Sequence, residues 1–352
     1  MACYHPLKAW QVGIHEKTGK PKYKITSYET EYLYYSKIHN KYLEIKEPFI
    51  RESFYTDDYV NFHFITEYIE VPCGKCVGCR LKYSRDWANR CMLEAQYHES
   101  NYFITITYND DNIPTGEYID KETGEIKESH SLQKRDFQLF MKRLRKNYQY
   151  DNKIRFFASG EYGDQTARPH YHMIAFGLKL DDLKLYKKSK HGFDYYTSDF
   201  LDSCWKKGFV IVTNISWDTC AYVARYVMKK QNGQNFEIYD DFNISPEFSL
   251  MSRKPGIARQ YLDDHPEIYD YDEIIYSTSS GGKKTKPPRY FDKIFQEDFP
   301  DIFDNVKNKR IEVAESLKEF KKTHSSLPYA QLLEVEERNK KAQIKSLKRS
   351  SI

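Results

Sequence analysis

Residues 154–176, IRFFASGEYGDQTARPHYHMIAF, decide how the chain is read as a fold. The two ends, Ile154–Ser159 and His170–Phe176, are strand candidates, and GEYGDQTARP between them has the Gly and Pro content of a hairpin loop. Upstream, YFITITY supplies a central strand over Tyr102–Thr107, and the NDDNIPTG and KETG segments after it are turn or hairpin chemistry. Ser131 is a candidate N-cap for a helix in which Phe137, Phe140, Met141, Leu144 and Tyr148 recur at helical spacing. Lys142, Arg143, Arg145 and Lys146 fill its outer face. Downstream, Phe209–Ile215 is a fourth strand, and Asp218 or Thr219 caps a helix running to about Lys230, with Gly233 just beyond. A further helix over Ser84–Tyr97 carries Trp87, Cys91 and Ala95 on one stripe. The order strand, helix, strand, strand, strand, helix, with hairpin-length loops, predicts an α+β fold with an antiparallel sheet and helices on one face, not a doubly wound sheet.

Around this core, residues 1–99 read as an N-terminal extension with short Tyr- and Ile-rich strands, a cysteine cluster and the Ser84–Tyr97 helix. Residues 100–235 form the core, and 236–352 a C-terminal extension with a basic segment, GGKKTKPPRY, and a charge-dense helical tail from about Asn305. The 352-residue length, 40% hydrophobic and 16% aromatic residues allow a substantial interior, and 30% charged residues predict a solvated exterior. No run approaches the roughly 18 apolar residues of a membrane helix, and MACYHPLKAW lacks the pattern of a signal peptide, so an intracellular protein without membrane contact is expected. With 55 Lys+Arg against 51 Asp+Glu, an anionic partner must be held by local clusters and not by the field of the whole molecule. There is no internal repeat, and no GxxxxGK[ST] for a P-loop motor.

Three constellations carry chemistry. In Arg168-Pro169-His170-Tyr171-His172, a period of two puts both imidazoles on one face and Tyr171 and Met173 on the other. Glu161, nine positions before His170, is a third candidate donor, since the hairpin can return it to the adjacent strand. Two His and a carboxylate leave positions open on a divalent metal; the competing reading is a chance pair of surface imidazoles. In YVARYVMKK, Tyr222, Tyr226 and Lys230 fall on one helical stripe, with Lys229 beside them. A phenol with a pKa of about 10 attacks poorly until its anion is stabilised, which Lys229 or Lys230 one turn away can do. Against this, 31 tyrosines make a tyrosine pair cheap, and such stripes often only pack. The third constellation is Cys73-x-x-Cys76-x-x-Cys79. It can hold structural Zn²⁺, with Cys91, His98, or Cys3 and His5 as candidate fourth ligands, or an iron–sulfur cluster, or stay unliganded. Cys91 is taken as the fourth ligand of the zinc set.

ITITY, GEYG…RPHYH and YVARYVMKK resemble the three motifs of HUH-type replication initiators over roughly residues 100–232. PCGKCVGCR, RPHYHMIAFG and the paired-tyrosine helix are similar to the replication initiation proteins of gokushovirus-type microviruses, as are MSRKPGIARQY and KPPRYFDK. The resemblance implies a ferredoxin- or RRM-like sheet and a Mg²⁺ or Mn²⁺ ion held by His170, His172 and Glu161. It implies Tyr226 and Tyr222 as alternating nucleophiles that nick single-stranded origin DNA through a 5′-phosphotyrosine and later religate it. A host helicase and polymerase, and the bacterial cytoplasm, are the implied partners and place. Arg168, Lys142, Arg143, Arg145 and Lys146, with Lys206 and Lys207, are candidate phosphate contacts near that site. The alternatives are a zinc-containing DNA-binding protein without catalysis, and a metal nuclease that activates water.

Overall fold

A computed structural model describes residues 3–37, 39–46, 64–163, 166–188, 193–226, 237–278 and 281–346. The chain divides into two compact units, one combining Met1–Lys82 with Ser316–Lys348 and the other Tyr83–Glu315. In the first, Leu7–Ile14 pairs with Pro21–Thr26 and Tyr68–Val71, and Tyr32–Ser36 pairs with Lys41–Ile45 and Phe64–Ile65, all antiparallel. The Tyr- and Ile-rich runs expected as short strands therefore build two small sheets. The expected helical tail runs as Pro300–Thr323 and Tyr329–Ser346. No helix among the described residues is long and apolar enough to cross a membrane.

The second unit is built on a seven-stranded antiparallel sheet. Its elements are α1 (Val77–Ala95, beginning in the first unit's span), β1 (Asn101–Tyr108), α2 (Lys134–Asn147), β2 (Arg155–Tyr162), β3 (Pro169–Phe176), β4 (Lys184–Lys188), β5 (Asp194–Thr197), α3 (Asp199–Trp205), β6 (Gly208–Asn214), α4 (Trp217–Tyr226) and β7 (Phe248–Met251). The strand order is β4-β5-β6-β1-β3-β2-β7. The α+β class and the antiparallel pairing are those the sequence led us to expect. The hairpin loop is shorter than GEYGDQTARP, because Gly160, Glu161 and Tyr162 continue β2.

Helices cover both faces of the sheet, not one. The physical reason is that β1, β2 and β3 are apolar on both sides, so each face needs a cover. On one face Ile104, Ile106, Tyr171, Met173, Val210 and Val212 pack under Phe137, Phe140 and Leu144 of α2 and Leu201 and Trp205 of α3. The Tyr171 hydroxyl, 2.9 Å from the Gln133 carbonyl, donates to it and fixes the start of α2 on β3. On the other face Phe103, Phe157, Ile174 and Phe176 pack under Trp87, Ala88 and Cys91 of α1 and Cys220, Val223 and Ala224 of α4. Trp87 stacks on Phe157 with centroids 4.4 Å apart. Each fully buried large apolar side chain contributes about 1.5–3 kcal/mol, so both layers matter to stability.

Two caps differ from expectation. Gln133, not Ser131, precedes α2, and its side chain makes no capping bond. At α4 the cap is Ser216: its Oγ accepts from the Thr219 N–H at 3.1 Å, while the Thr219 hydroxyl accepts from the Ser216 N–H at 2.8 Å.

Candidate metal centre

Register assembles the site. On the face carrying α1 and α4, residues of β6, β1, β3 and β2 line up in rows: Phe209–Thr107–His170–Glu161, then Ile211–Thr105–His172–Ser159, then Thr213–Phe103–Ile174–Phe157. The third row is largely apolar and lies among the helices' buried residues, whereas the first two turn polar. The donors thus occupy the stretch of sheet next to the helical cover.

Glu161 stands directly across from His170 on the neighbouring strand, the relation expected from the hairpin. Its Oε1 lies 2.8 Å from His170 Nε2 and 2.5 Å from His172 Nε2. The three donor atoms converge within 4.8 Å. Glu161 and His172 are buried, and His170 is half-buried.

The tautomers follow from what faces the far nitrogens. His170 Nδ1 is 3.0 Å from the Arg168 carbonyl, which can only accept, so Nδ1 carries a proton and donates. In the neutral ring Nε2 is then a lone pair aimed at a carboxylate oxygen. Two such acceptors need a cation or an extra proton between them. His172 Nδ1 lies 3.0 Å from Thr105 Oγ1, a partner that orients its Nε2 in the same way. A carboxylate and two neutral imidazoles, oriented from behind and converging on one point, fit a divalent cation with positions left open.

An open cavity of about 390 Å³ adjoins the triad, lined among others by Thr105, Thr107, Arg168, Lys187, Tyr195 and Tyr222. Tyr222 reaches it from α4, its ring 5.1 Å from that of His172 and 6.1 Å from Phe103, edge-on to both. Small buried residues, Cys220, Ala221 and Ala224, let α4 sit close to the sheet, and Ser84 donates to the Ala221 carbonyl at 2.9 Å. Tyr226 is the last residue of α4; its side chain, with Lys229 and Lys230, lies outside the described residues. A larger cavity of about 560 Å³, lined by Arg145, Tyr148 and Arg155, contains no such set of donors among the described residues.

Of the expected phosphate contacts, only Arg168 is at the cavity; it donates to Asp110 at 2.7 Å and to the Tyr108 carbonyl at 3.1 Å. Lys142, Arg143, Arg145 and Lys146 belong to α2, across the sheet from the triad. There Arg143 donates to the Cys204 and Trp205 carbonyls and Arg145 to that of Ile154, which are structural bonds. Lys207 pairs with Asp136 at 3.0 Å, and Lys206 ends α3 in a left-handed conformation. Sequence reasoning missed Tyr186 and Lys187 on β4 and Phe209 on β6. Tyr186 and Phe209 are 62% and 66% exposed, although they stand beside the donors. The signal was present in KLYKK, where an aromatic residue is set among lysines.

The cysteines also rearrange. Cys91 is fully buried against α4, and burial, with Cys220 beside it, pushes its thiol well above the usual range. It is not a ligand of the cluster, because the stripe it shares with Trp87 faces the sheet. The thiol that joins Cys73, Cys76 and Cys79 is that of Cys3.

Residues 101–231, which span the triad and α4, match the family model of the replication-associated protein ORF2. Over 284 residues the chain is 33% identical to the replication-associated protein ORF2 of Spiroplasma virus 4, covering 79% of this chain and 85% of that protein. It is 30% identical over 237 residues to the replication-associated protein VP4 of Bdellovibrio phage phiMH2K, covering 65% and 69%, and 32% identical over 252 residues to the replication-associated protein ORF4 of Chlamydia phage 1, covering 69% and 58%. The chain belongs to this family of phage replication-associated proteins. No solved structure matches it.

Proposed function

We propose that this chain is an HUH-type rolling-circle initiator that nicks and rejoins single-stranded DNA through tyrosine. The observation that carries the proposal is the packing of Tyr222 against His172, beside a carboxylate–diimidazole triad at an open cavity. A Mg²⁺ or Mn²⁺ ion held by Glu161, His170 and His172 would polarise the scissile phosphate. Everything else is done by the chain. Arg168 holds a neighbouring phosphate, while Tyr186 and Phe209 offer exposed rings for unpaired bases to stack on. The Tyr222 or Tyr226 phenolic oxygen bonds to phosphorus as the P–O3′ bond breaks, and the phenolic proton is balanced by the one gained at the departing 3′-oxygen.

The resulting 3′-hydroxyl primes a host polymerase, with a host helicase opening the duplex. The second tyrosine repeats the cut at the regenerated origin, and the freed 3′-hydroxyl attacks the first phosphotyrosine to close a circle. All of this takes place in the bacterial cytoplasm. The test is incubation with single-stranded origin DNA and Mn²⁺, followed by denaturing electrophoresis. A covalent protein–DNA species is expected from the wild type and none from the Tyr222→Phe, Tyr226→Phe double variant. Cleavage to free 5′-phosphate ends without any adduct would instead identify a water-activating nuclease.

A further inference from the structure

We infer that Cys3, Cys73, Cys76 and Cys79 bind one zinc ion as a tetrathiolate, fixing residues 3–5 to the start of α1. Their four sulfurs lie within 4.8 Å of one another, and Cys3 Sγ is 3.9 Å from Cys76 Sγ. A tetrahedral ion with Zn–S bonds of about 2.3 Å separates its sulfurs by about 3.8 Å, whereas a disulfide needs about 2.05 Å. All four cysteines are free thiols, so the set has the spacing of ligands and not of bridges.

The backbone is arranged for negative sulfur. The N–H groups of Lys75 and Cys76 point at Cys73 Sγ at 3.4 and 3.3 Å. Those of Tyr4 and Cys79 point at Cys76 Sγ at 3.4 and 3.5 Å, and that of Cys73 points at Cys3 Sγ at 3.3 Å. Such bonds orient thiolate ligands and offset their charge. The turn between Cys73 and Cys76 depends on Gly74 at φ +73°, where an L side chain would be strained.

Other candidates for the fourth position are engaged elsewhere. His5 Nε2 is 2.9 Å from Glu337, whose other oxygen accepts the Val77 N–H at 3.1 Å, and His98 pairs with Glu94. An ion at this point therefore joins residues 3–5 to 73–79, with Glu337 bonded to both segments. A multi-iron cluster spreads its cysteine sulfurs further apart than one ion does, so the compact set favours a single ion.

Full-length protein purified under reducing conditions is expected to carry one zinc per chain by elemental analysis. That zinc should be retained in His170→Ala and Cys91→Ser and lost in Cys3→Ser and Cys76→Ser. Exchange of the wild-type metal for Co²⁺ should give the thiolate charge-transfer and visible bands of a tetrahedral tetrathiolate, a readout that does not depend on the variants folding. Zinc retained in Cys3→Ser at the wild-type level would overturn the inference. So would a wild-type chain that takes up neither zinc nor cobalt at thiolates. Loss of zinc in His170→Ala would also overturn it, by moving the ion to the other site.

Discussion

Replacing Glu161 by glutamine should separate the triad's metal chemistry from its contribution to the fold. Glu161 Oε1 faces the Nε2 atoms of His170 and His172 at 2.8 and 2.5 Å. At pH 8, where imidazoles are ordinarily neutral, a carboxylate there sets acceptor against acceptor. An amide nitrogen in its place offers two N–H donors, one to each ring, each bond worth about 0.5–1.5 kcal/mol. The metal-free variant is therefore expected to be as stable as the metal-free wild type or more so, by up to about 2 kcal/mol. With Mn²⁺ the order reverses. At about one hundred times its dissociation constant a ligand stabilises by about 2.7 kcal/mol. For a unit of this size that raises the melting temperature by roughly 5–11 °C, at about 2–4 °C per kcal/mol. E161Q has lost the anionic ligand and should show little of that rise. Thermal unfolding of both proteins, with a chelator and with Mn²⁺, reads the two effects together. A variant that keeps the full Mn²⁺ shift, or one that is several kcal/mol less stable without metal, would refute the reasoning.

Glu94 is a second buried carboxylate, with a purely structural role. Burial alone would raise its pKa, but hydrogen bonds from His98, the Ala258 N–H and Arg155 outweigh that and hold it below the usual range. A depressed carboxyl binds fewer protons folded than unfolded, so its contribution is complete above the usual carboxylate range and is lost as pH falls through the folded value. Glu94→Ala should cost about 3–5 kcal/mol at pH 7 by leaving Arg155 buried without its partner. The gap to wild type in urea titrations should narrow towards pH 3, and a gap independent of pH would contradict the assignment. For DNA, Tyr186→Ala and Phe209→Ala should each weaken binding of single-stranded oligonucleotides by about 1–3 kcal/mol. Lys142→Glu with Lys146→Glu, across the sheet, should leave it nearly unchanged in fluorescence anisotropy. Equal losses from both pairs would mean that the DNA path does not follow the triad face.

Much of the site was legible because a strand's period is short and rigid. His170 and His172 share a face while Tyr171 and Met173 enter the core, as alternation alone requires. Glu161 was reachable by counting back through one hairpin. What could not be read were relations between segments far apart in sequence. Nothing local says that Cys3 meets Cys76, 73 residues away. The choice of Cys91 failed against a signal already noted, the apolar stripe it shares with Trp87, which marks a core thiol. An amphipathic helix such as α2 declares which of its sides is buried but not which face of the sheet receives it, so its basic side was assigned to the wrong neighbourhood. The second helical layer was missed for a related reason: strands apolar on both sides were read with only one cover.

The most direct measurement is peptide mapping of the covalent species formed on single-stranded origin DNA. After nuclease and protease digestion, mass spectrometry should find a nucleotide remnant on the peptide holding Tyr222 or Tyr226, and the remnant should disappear when His172 is replaced by alanine. A remnant on a peptide from outside α4, or an adduct that forms unchanged without the His172 imidazole, would contradict the account.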